Sequence, residues 1–188
     1  MRIVAGALRG RMLVAPKGHS TRPTADRTRQ ALFNVLEHAP WSRPIAGARV
    51  LDLFAGSGAL GLEALSRGAA SCIFADHDRA AREAILQNLA ALGQTAHGRV
   101  VTGEATHAPP GPFDLVFADP PYRQGLAEQT LAGLAGALAE PALVVIEQSA
   151  EEPALTHPDY ERLDARRWGV ARVTFLRTRS PGPAAAGS

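Results

Sequence analysis

Residues 51–58 read LDLFAGSG, an apolar run that ends in two closely spaced glycines. A short apolar run before a glycine-rich turn is typical of a buried parallel strand that leads into a helix. Gly56, Gly58 and Gly61 match the dinucleotide-binding fingerprint, and Asp76 follows Gly56 by 20 residues. The stretch therefore predicts a doubly wound α/β fold that binds a nucleotide-containing ligand at the carboxyl ends of its strands.

The chain on both sides of this stretch alternates between strand-like and helix-like patterns. We expect strands at residues 49–54, 71–76, 99–102, 113–119 and 142–148, and helices at residues 24–38, 59–67, 79–92 and 124–138. Residues 2–14 predict a short β-hairpin, and residues 160–167 and 170–177 predict a terminal antiparallel pair. Such alternation predicts a Rossmann-like, mostly parallel sheet with an antiparallel C-terminal pair.

The length of 188 residues predicts one domain with a small appendage. We assign residues 1–20 to a basic N-terminal β-hairpin extension, residues 21–179 to the main domain and residues 180–188 (SPGPAAAGS) to a disordered tail. No apolar run approaches the roughly 18 residues of a membrane helix, so we expect no membrane association. The single cysteine, Cys72, excludes a disulfide framework and favours the reducing cytoplasm.

The small net charge of +2 conceals an uneven distribution. Residues 1–29 carry +6 and residues 160–188 carry +4, whereas residues 30–159 carry −8. Basic ends on an acidic body favour a polyanionic partner held at the edges of the protein. Basic residues that we interpret as nucleic-acid contacts are Arg2, Arg9, Arg11, Lys17, Arg22 and Arg123.

A second motif, Asp119-Pro120-Pro121-Tyr122, closes the apolar run at residues 113–118. The lone pair of an exocyclic amine on a nucleobase is delocalised into the ring, so a site must accept both of its N–H groups to localise that pair. The Asp119 carboxylate and the Pro120 carbonyl can do so, because the prolines contribute no N–H donors. Tyr122 offers a face on which an unstacked base can lie. We therefore take all four residues as the candidate catalytic site.

The glycine loop alone is compatible with two cofactors. A nicotinamide dinucleotide fits the fingerprint, and so does S-adenosylmethionine. Asp52, inside the strand before the loop, favours the second because a carboxylate there can hold a cationic amino-acid group. The motif at Asp119 has no role in hydride transfer and favours the second as well. The histidines are scattered without metal-ligand spacing, so we expect no metal.

Taken together, these motifs resemble the RsmD-type family of bacterial methyltransferases, which methylate the N2 amine of a guanine in 16S ribosomal RNA. The resemblance runs from Arg2 to about Arg177. Beyond the two motifs above, it is carried by stretches near the N-terminus and after the glycine loop: residues 2–6 (RIVAG), 9–11 (RGR), 22–27 (RPTADR), 32–34 (LFN) and 59–64 (ALGLEA).

The resemblance implies a class I methyltransferase that uses S-adenosylmethionine and releases S-adenosylhomocysteine. It implies that Asp52 and the glycine loop hold the methionine part, that Asp76 binds the ribose hydroxyls and that Glu104 and the Ala105 backbone lie beside the adenine. Residues expected around the cofactor are Thr24, Arg27, Asn34, Asp52, Phe54, Ala55, Gly56, Ser57, Gly58, Asp76, His77, Glu104 and Ala105. The implied partner is 16S ribosomal RNA within a partly assembled 30S subunit, bound by a cytoplasmic monomer.

Two other functions remain open from the sequence. An adenine-N6 or cytosine-N4 methyltransferase of DNA uses the same Asp-Pro-Pro-Tyr turn, although such enzymes usually carry a separate target-recognition domain. A catalytically inactive RNA-binding module could retain the fold. The intact Asp119 turn beside an intact glycine loop disfavours the inactive module.

Overall fold

The doubly wound sheet predicted around residues 51–58 is present. The computed structural model describes residues 1–16, 23–103, 107–122 and 125–179, and only the backbone of residues 23–25. Its elements are α1 (Pro23–His38), β1 (Arg49–Leu53), α2 (Ala59–Ser66), β2 (Ser71–Ala75), α3 (Arg79–Leu92), β3 (Gly98–Val101), β4 (Phe113–Ala118), α4 (Leu126–Gly133), β5 (Leu138–Ser149), β6 (Tyr160–Trp168) and β7 (Ala171–Thr178).

The strands of the described residues form one sheet in the order β3-β2-β1-β4-β5-β7-β6. β1 pairs in parallel with β2 and β4, so that Leu53 lies opposite both Ala75 and Ala118. β4 pairs in parallel with β5, whereas β7 is antiparallel to β5 and β6. The predicted mixed sheet and its antiparallel C-terminal pair are confirmed, and the carboxyl ends of the five neighbouring parallel strands β3-β2-β1-β4-β5 lie along one edge.

Apolar side chains cover both faces of the sheet. On one face, α1, α2, α3 and the N-terminal segment pack together, with Phe33 of α1 against Phe117 of β4 at a ring-centroid distance of 5.6 Å. On the other face, Leu131 of α4 is buried beside Tyr160, whose hydroxyl donates to the Leu131 carbonyl at 3.0 Å. Each such large side chain contributes about 1.5–3 kcal/mol when it is fully buried, so both layers stabilise the sheet.

The N-terminal segment, residues 1–16, reverses direction and lies against the helices. Regular pairing within it is limited to a bridge between Arg2 and Met12, with further backbone bonds such as that from the Leu13 N–H to the Met1 carbonyl at 3.0 Å. Ile3 is fully buried, and a Cβ on Gly6 would stand 1.9 Å from the Ser66 carbonyl oxygen. The segment therefore docks too closely at Gly6 to admit a side chain there.

A buried carboxylate anchors this segment. Glu63 of α2 is fully buried, and its two oxygens accept the backbone N–H groups of Val4 and Ala5 at 2.9 Å each. Arg67 supplies the opposite charge at 3.0 Å and Arg29 of α1 at 3.4 Å. Because a buried charge is tolerated only when it is paired and hydrogen-bonded, Glu63 joins the N-terminal segment, α1 and α2 into one unit.

A buried amide forms a second anchor. Asn88 of α3 accepts the Val14 N–H at 2.8 Å and donates to the Val14 carbonyl at 2.9 Å. The same Asn88 amide nitrogen donates to the Ser57 carbonyl at 2.9 Å. One side chain thus ties the N-terminal segment to the glycine loop.

Two predicted element bounds are wrong. The helix expected at residues 124–138 ends at Gly133, because the chain turns there and Gly136 adopts a φ of +77°. The strand expected at residues 142–148 begins already at Leu138 and extends to Ser149, since Leu138 pairs with Phe113. The prediction that residues 180–188 are disordered lies outside the described residues.

We predict that Glu63→Gln lowers the free energy of unfolding by about 3–5 kcal/mol, because it removes one partner of a buried ionic group. Urea denaturation followed by circular dichroism measures this loss. The control is Glu83→Gln, which removes an exposed pair with Arg79 and should cost less than about 1 kcal/mol. Equal losses in the two variants would contradict the anchoring role of Glu63.

Candidate functional site

Acidic side chains gather where the parallel strands end. Asp76 follows β2, Asp119 follows β4 and Glu147 lies near the end of β5, next to Ile146, which pairs with Ala118. Asp52 lies within β1, the strand between β2 and β4 in the sheet. The parallel register therefore brings four carboxyl groups to one edge of the sheet.

The loop after β1 has an unusual backbone. Phe54 has a φ of +56°, a left-handed conformation that is uncommon for a non-glycine residue and clusters at functional sites. Gly56 also has a φ of +56°, and a Cβ there would meet only the Phe54 carbonyl oxygen, at 4.0 Å. The loop thus leaves open space at Gly56, on the side where a ligand can approach the backbone.

The other two glycines of the motif serve packing. A Cβ on Gly61 would stand 2.4 Å from Phe74 and 2.5 Å from the Cys72 sulfur, and one on Gly58 would stand 3.2 Å from Phe74. Gly58 and Gly61 therefore let α2 lie directly on β2. Burial raises the pKa of the Cys72 thiol, which is consistent with an inert core residue.

Asp76 organises the loop from the neighbouring strand. One carboxylate oxygen accepts the Gly56 N–H at 2.8 Å, and the other accepts the Asp78 N–H at 2.9 Å. Each oxygen retains a second lone pair for a ligand hydroxyl. The adjacent His77 is exposed, with its ring 3.7 Å from the Asp76 carboxylate.

Asp52 is a buried acid without a nearby cation among its described contacts. Only 2% of its surface is exposed, and one oxygen accepts the Gly61 N–H at 2.9 Å at the start of α2. The pKa of Asp52 is raised to about 8, chiefly by burial and also by the charges of Asp119 and Asp76, against the lowering effect of the Gly61 hydrogen bond. A cationic group brought beside Asp52 would favour its ionised form.

Asp119 and Glu147 form a second acidic pair, with Tyr122 beside them. Asp119 is open to solvent, yet the surrounding protein disfavours its charge, and Glu147 adds repulsion, so that its pKa rises to about 7. The Tyr122 hydroxyl donates to Glu147 at 2.7 Å. Burial raises the pKa of Glu147, although this hydrogen bond opposes the rise.

A cleft of about 260 Å³ lies beside this pair. Pro120, Pro121 and Tyr122 form one wall, and Glu147, Gln148 and Glu152 line it from the end of β5 and the turn that follows. The start of α4 closes a third side. The predicted catalytic turn therefore borders a cavity, as a substrate-binding role requires.

For several other predicted site residues, the described contacts give no link to the strand-end acids. Arg27 and Asn34 of α1 are exposed, and Asn34 accepts a bond from Gln30 at 2.8 Å. No described hydrogen bond or ion pair joins either residue to the strand-end acids. Outside the described residues lie Lys17, Arg22, Glu104, Ala105 and Arg123, together with the side chain of Thr24.

The basic residues of the N-terminal segment differ in their contacts. Arg2 and Arg9 are exposed, and within the described residues their side chains form no ion pair. Arg11 is exposed too, but it donates to the Ala91 carbonyl at 2.7 Å and so also fixes the segment to α3. Arg29 is 4% exposed and serves the core.

Neither Glu147 nor Gln148 is among the site residues predicted from the sequence. The sequence does contain a pattern that could have indicated them. They follow the apolar run at residues 142–146, just as Asp119 follows the apolar run at residues 113–118. The described part of the chain contains no cluster of three or more potential metal ligands. Among its helices, none is both long and apolar enough to cross a bilayer.

Comparison with known proteins gives consistent matches. The profile of the family described as Conserved hypothetical protein 95 matches residues 1–177. The chain is 44% identical over 164 residues to Ribosomal RNA small subunit methyltransferase D of Escherichia coli (strain K12), covering 84% of this chain and 79% of that protein. It is 34% identical to the protein of the same name from Haemophilus influenzae, with 90% of each chain covered.

Solved structures agree in fold. The Escherichia coli protein yhhF superimposes with a TM-score of 0.81 at 38% identity, covering 96% of this chain and 99% of that one. The ribosomal protein L11 methylase of Lactobacillus delbrueckii gives a TM-score of 0.68 at 19% identity, covering 88% of this chain and 84% of that one. The second match shows the fold alone, which is that of the class I methyltransferases.

We predict that Asp52→Asn changes how stability depends on pH in the ligand-free protein. The folded-state pKa of about 8 exceeds the ordinary value, so wild-type stability falls as pH rises from about 4 towards 8. Asparagine keeps an acceptor for Gly61 and does not ionise. The variant should therefore unfold several degrees above the wild type at pH 8, and the difference should shrink towards pH 5.

Scanning calorimetry from pH 5 to pH 9 measures this difference. Asp114→Asn is the control, because the hydrogen bond from Arg49 lowers the pKa of the Asp114 carboxyl group, so that this group is ionised throughout the range and its removal should shift the melting temperature about equally at every pH. A pH-independent effect of Asp52→Asn would mean that Asp52 is ionised in the folded protein.

Proposed function

The chain belongs to the family described as Conserved hypothetical protein 95, the RsmD family, and from this membership we propose that it transfers a methyl group from S-adenosylmethionine to the N2 amine of a guanine in 16S ribosomal RNA. The observation that carries the proposal is the Asp119-Pro120-Pro121-Tyr122 turn, which borders a cleft and follows β4, the strand that pairs with β1 just before the glycine loop. The turn at Asp119 can accept the N–H groups of an amine, and the glycine loop with Asp76 suits a nucleoside.

The residues at the glycine loop fit S-adenosylmethionine. This cofactor carries an ammonium group, ribose hydroxyls and a sulfonium. Asp52 is a buried acid whose ionised form needs a cation, and Asp76 retains acceptor capacity for hydroxyls. The open side of Gly56 permits close approach to the loop backbone. We assign Asp52 to the amino-acid end of the cofactor and Asp76 to its ribose.

When bound, S-adenosylmethionine supplies the methyl group, so that a nitrogen–carbon bond forms while the sulfur–carbon bond breaks, sulfur keeps that electron pair and the amine loses one proton. The protein positions the amine. The Asp119 carboxylate and the Pro120 carbonyl accept its two N–H groups, which localises the nitrogen lone pair. Tyr122 supports the plane of the base. Such positioning can account for a large part of a rate enhancement.

Asp119 needs to accept a hydrogen bond rather than act as a strong base, because the methylated ammonium is itself acidic. With a pKa of about 7 in the free protein, Asp119 is increasingly ionised as pH rises above neutrality. The second-order rate constant kcat/KM, which reports free-enzyme groups, should therefore rise between pH 6 and pH 8.

The target base is tested by methyl transfer. We expect the protein to transfer isotope-labelled methyl groups to small ribosomal subunits that lack this modification, and nuclease digestion should recover the label as N2-methylguanosine. Label in DNA adenine or cytosine would instead support the DNA methyltransferase. RNA binding without transfer would support the inactive module.

Asp119→Ala should lower kcat at least tenfold, a loss of more than about 1.4 kcal/mol of transition-state stabilisation. Calorimetry should show S-adenosylhomocysteine binding within a few-fold of the wild type, because the cofactor is held at the glycine loop. Retention of more than a tenth of wild-type kcat would remove Asp119 from the role of amine acceptor.

The exposed arginines of the N-terminal segment are proposed to contact RNA phosphates. Arg2→Gln combined with Arg9→Gln should weaken binding to 16S RNA and reduce the slope of log affinity against log salt by about 1.4–1.8, as expected for two phosphate contacts. Cofactor affinity should not change. Arg11 is left intact because it also fixes the segment to α3.

A matched double variant, Arg79→Gln with Arg99→Gln, removes the same charge from α3 and β3. It should leave the salt slope at the wild-type value. Equal slopes for wild type and the Arg2/Arg9 variant would mean that the N-terminal segment is scaffold, and that RNA is held elsewhere, for example by the arginines of β6.

A further inference from the structure

Glu147 and Gln148 lie in the cleft without a role in the methyl transfer described above. Glu147 borders the cleft opposite Pro120 and Pro121. Gln148 also lines it and is only 4% exposed, and its side-chain carbonyl oxygen is buried without a hydrogen-bond partner in the described residues. Because an unpaired buried acceptor is costly, this oxygen points to a ligand that donates a hydrogen bond.

The hydroxyl of Tyr122 is hydrogen-bonded to the carboxyl group of Glu147. It donates to one carboxylate oxygen at 2.7 Å, which opposes the rise in the pKa of Glu147 that burial causes. The second oxygen remains available to accept a bond. Glu147 therefore has one carboxylate oxygen on the cleft wall that can accept a hydrogen bond from a ligand.

The walls around the amine are therefore rich in acceptors. Glu147 lines the cleft with a carboxylate, and Asp119, which interacts electrostatically with Glu147, immediately precedes the lining residue Pro120. Gln148 adds a side-chain carbonyl oxygen, and the two prolines have no N–H groups. Guanine matches such walls, because its ring N1–H stands beside its N2 amine and all of these groups are donors. Adenine and cytosine place an unprotonated ring nitrogen beside their amine, and its lone pair would face a carboxylate.

We propose that Glu147, supported by the Gln148 carbonyl oxygen, accepts the N1–H of the target guanine and so selects guanine over the other amine-bearing bases. This inference rests on the proposed function and adds the residue that determines its specificity. A donor-rich base edge placed between Asp119 and Glu147 would also relieve the repulsion between these two carboxylates.

The alternative role for Glu147 is to orient the ring of Tyr122 through their hydrogen bond. The two roles differ in what they discriminate. A residue that only orients the ring affects every base equally, whereas an acceptor for N1–H distinguishes bases by the state of that nitrogen. Tyr122→Phe separates the roles, because it removes the hydrogen bond and keeps the carboxylate.

The test uses 2-aminopurine, which keeps the 2-amino group but has a lone pair at N1. Small subunits are reconstituted on 16S RNA in which the mapped target guanosine is either retained or replaced by 2-aminopurine. The ratio of kcat/KM for guanine to kcat/KM for 2-aminopurine is measured for each variant. Both substrates carry the amine, so the ratio reports recognition of the rest of the base.

We expect a wild-type ratio well above ten, and Glu147→Gln should reduce it by about 5- to 150-fold, the range of one good base-edge contact. Glutamine can donate to the N1 lone pair of 2-aminopurine, so the ratio should approach one. Tyr122→Phe should keep most of the wild-type ratio even if kcat falls. Glu140→Gln, the same change at the other end of β5, should leave both rate constants unchanged.

The outcomes separate this inference from the proposed function. Absence of N2-methylguanosine from wild-type reactions overturns the proposed function and the inference with it. Guanine methylation with an unchanged ratio in Glu147→Gln overturns the inference alone, and so does an equal drop in the ratio in Tyr122→Phe. A wild-type ratio near one overturns it whatever the stability of the variants.

Discussion

The parallel pairing of β1 with β2 and β4 is the constraint on which the rest of the molecule depends. It brings the ends of these strands to one edge and sets Leu53 level with Ala75 and Ala118. The residues that follow these positions in the three strands are therefore close to one another in space, even when their side chains repel. Four carboxyl groups stand there, and burial raises the pKa values of Asp52 and Asp119, with a further contribution from the repulsion between the carboxylates. A cationic, donor-rich ligand at this edge would therefore favour the ionised forms of these carboxyl groups.

Much of this arrangement could be predicted from the sequence. The short apolar runs at residues 71–76 and 113–119 each end in an aspartate, and the run at residues 49–54 carries Asp52 close to its end, so three of the acids are placed at or near strand ends. Glu147 obeys the same rule but was missed, since no familiar motif drew attention to it. A polar residue at the end of an apolar strand can therefore indicate a site residue even where no known motif is present.

Other features depend on contacts that no local pattern contains. The packing role of Gly61 follows from the proximity of Phe74 and Cys72, on a strand that follows it in the chain. The left-handed backbone of Phe54 is imposed by the turn rather than by its own preference. Glu63 is a further case, because a helical glutamate in a sequence indicates a solvent-facing residue, whereas its two backbone partners lie 58 and 59 residues away.

The side chain of Asn88 connects the glycine loop to the N-terminal segment by hydrogen bonds. It holds Val14 on one side and the Ser57 carbonyl on the other. If a bound polyanion displaced the segment at Val14, the loop at Ser57 would move with it. Thermodynamic linkage then requires that each ligand alters the affinity of the other by the same factor. A large ligand at the N-terminal segment and a small ligand at the glycine loop would then be coupled through the side-chain amide of Asn88.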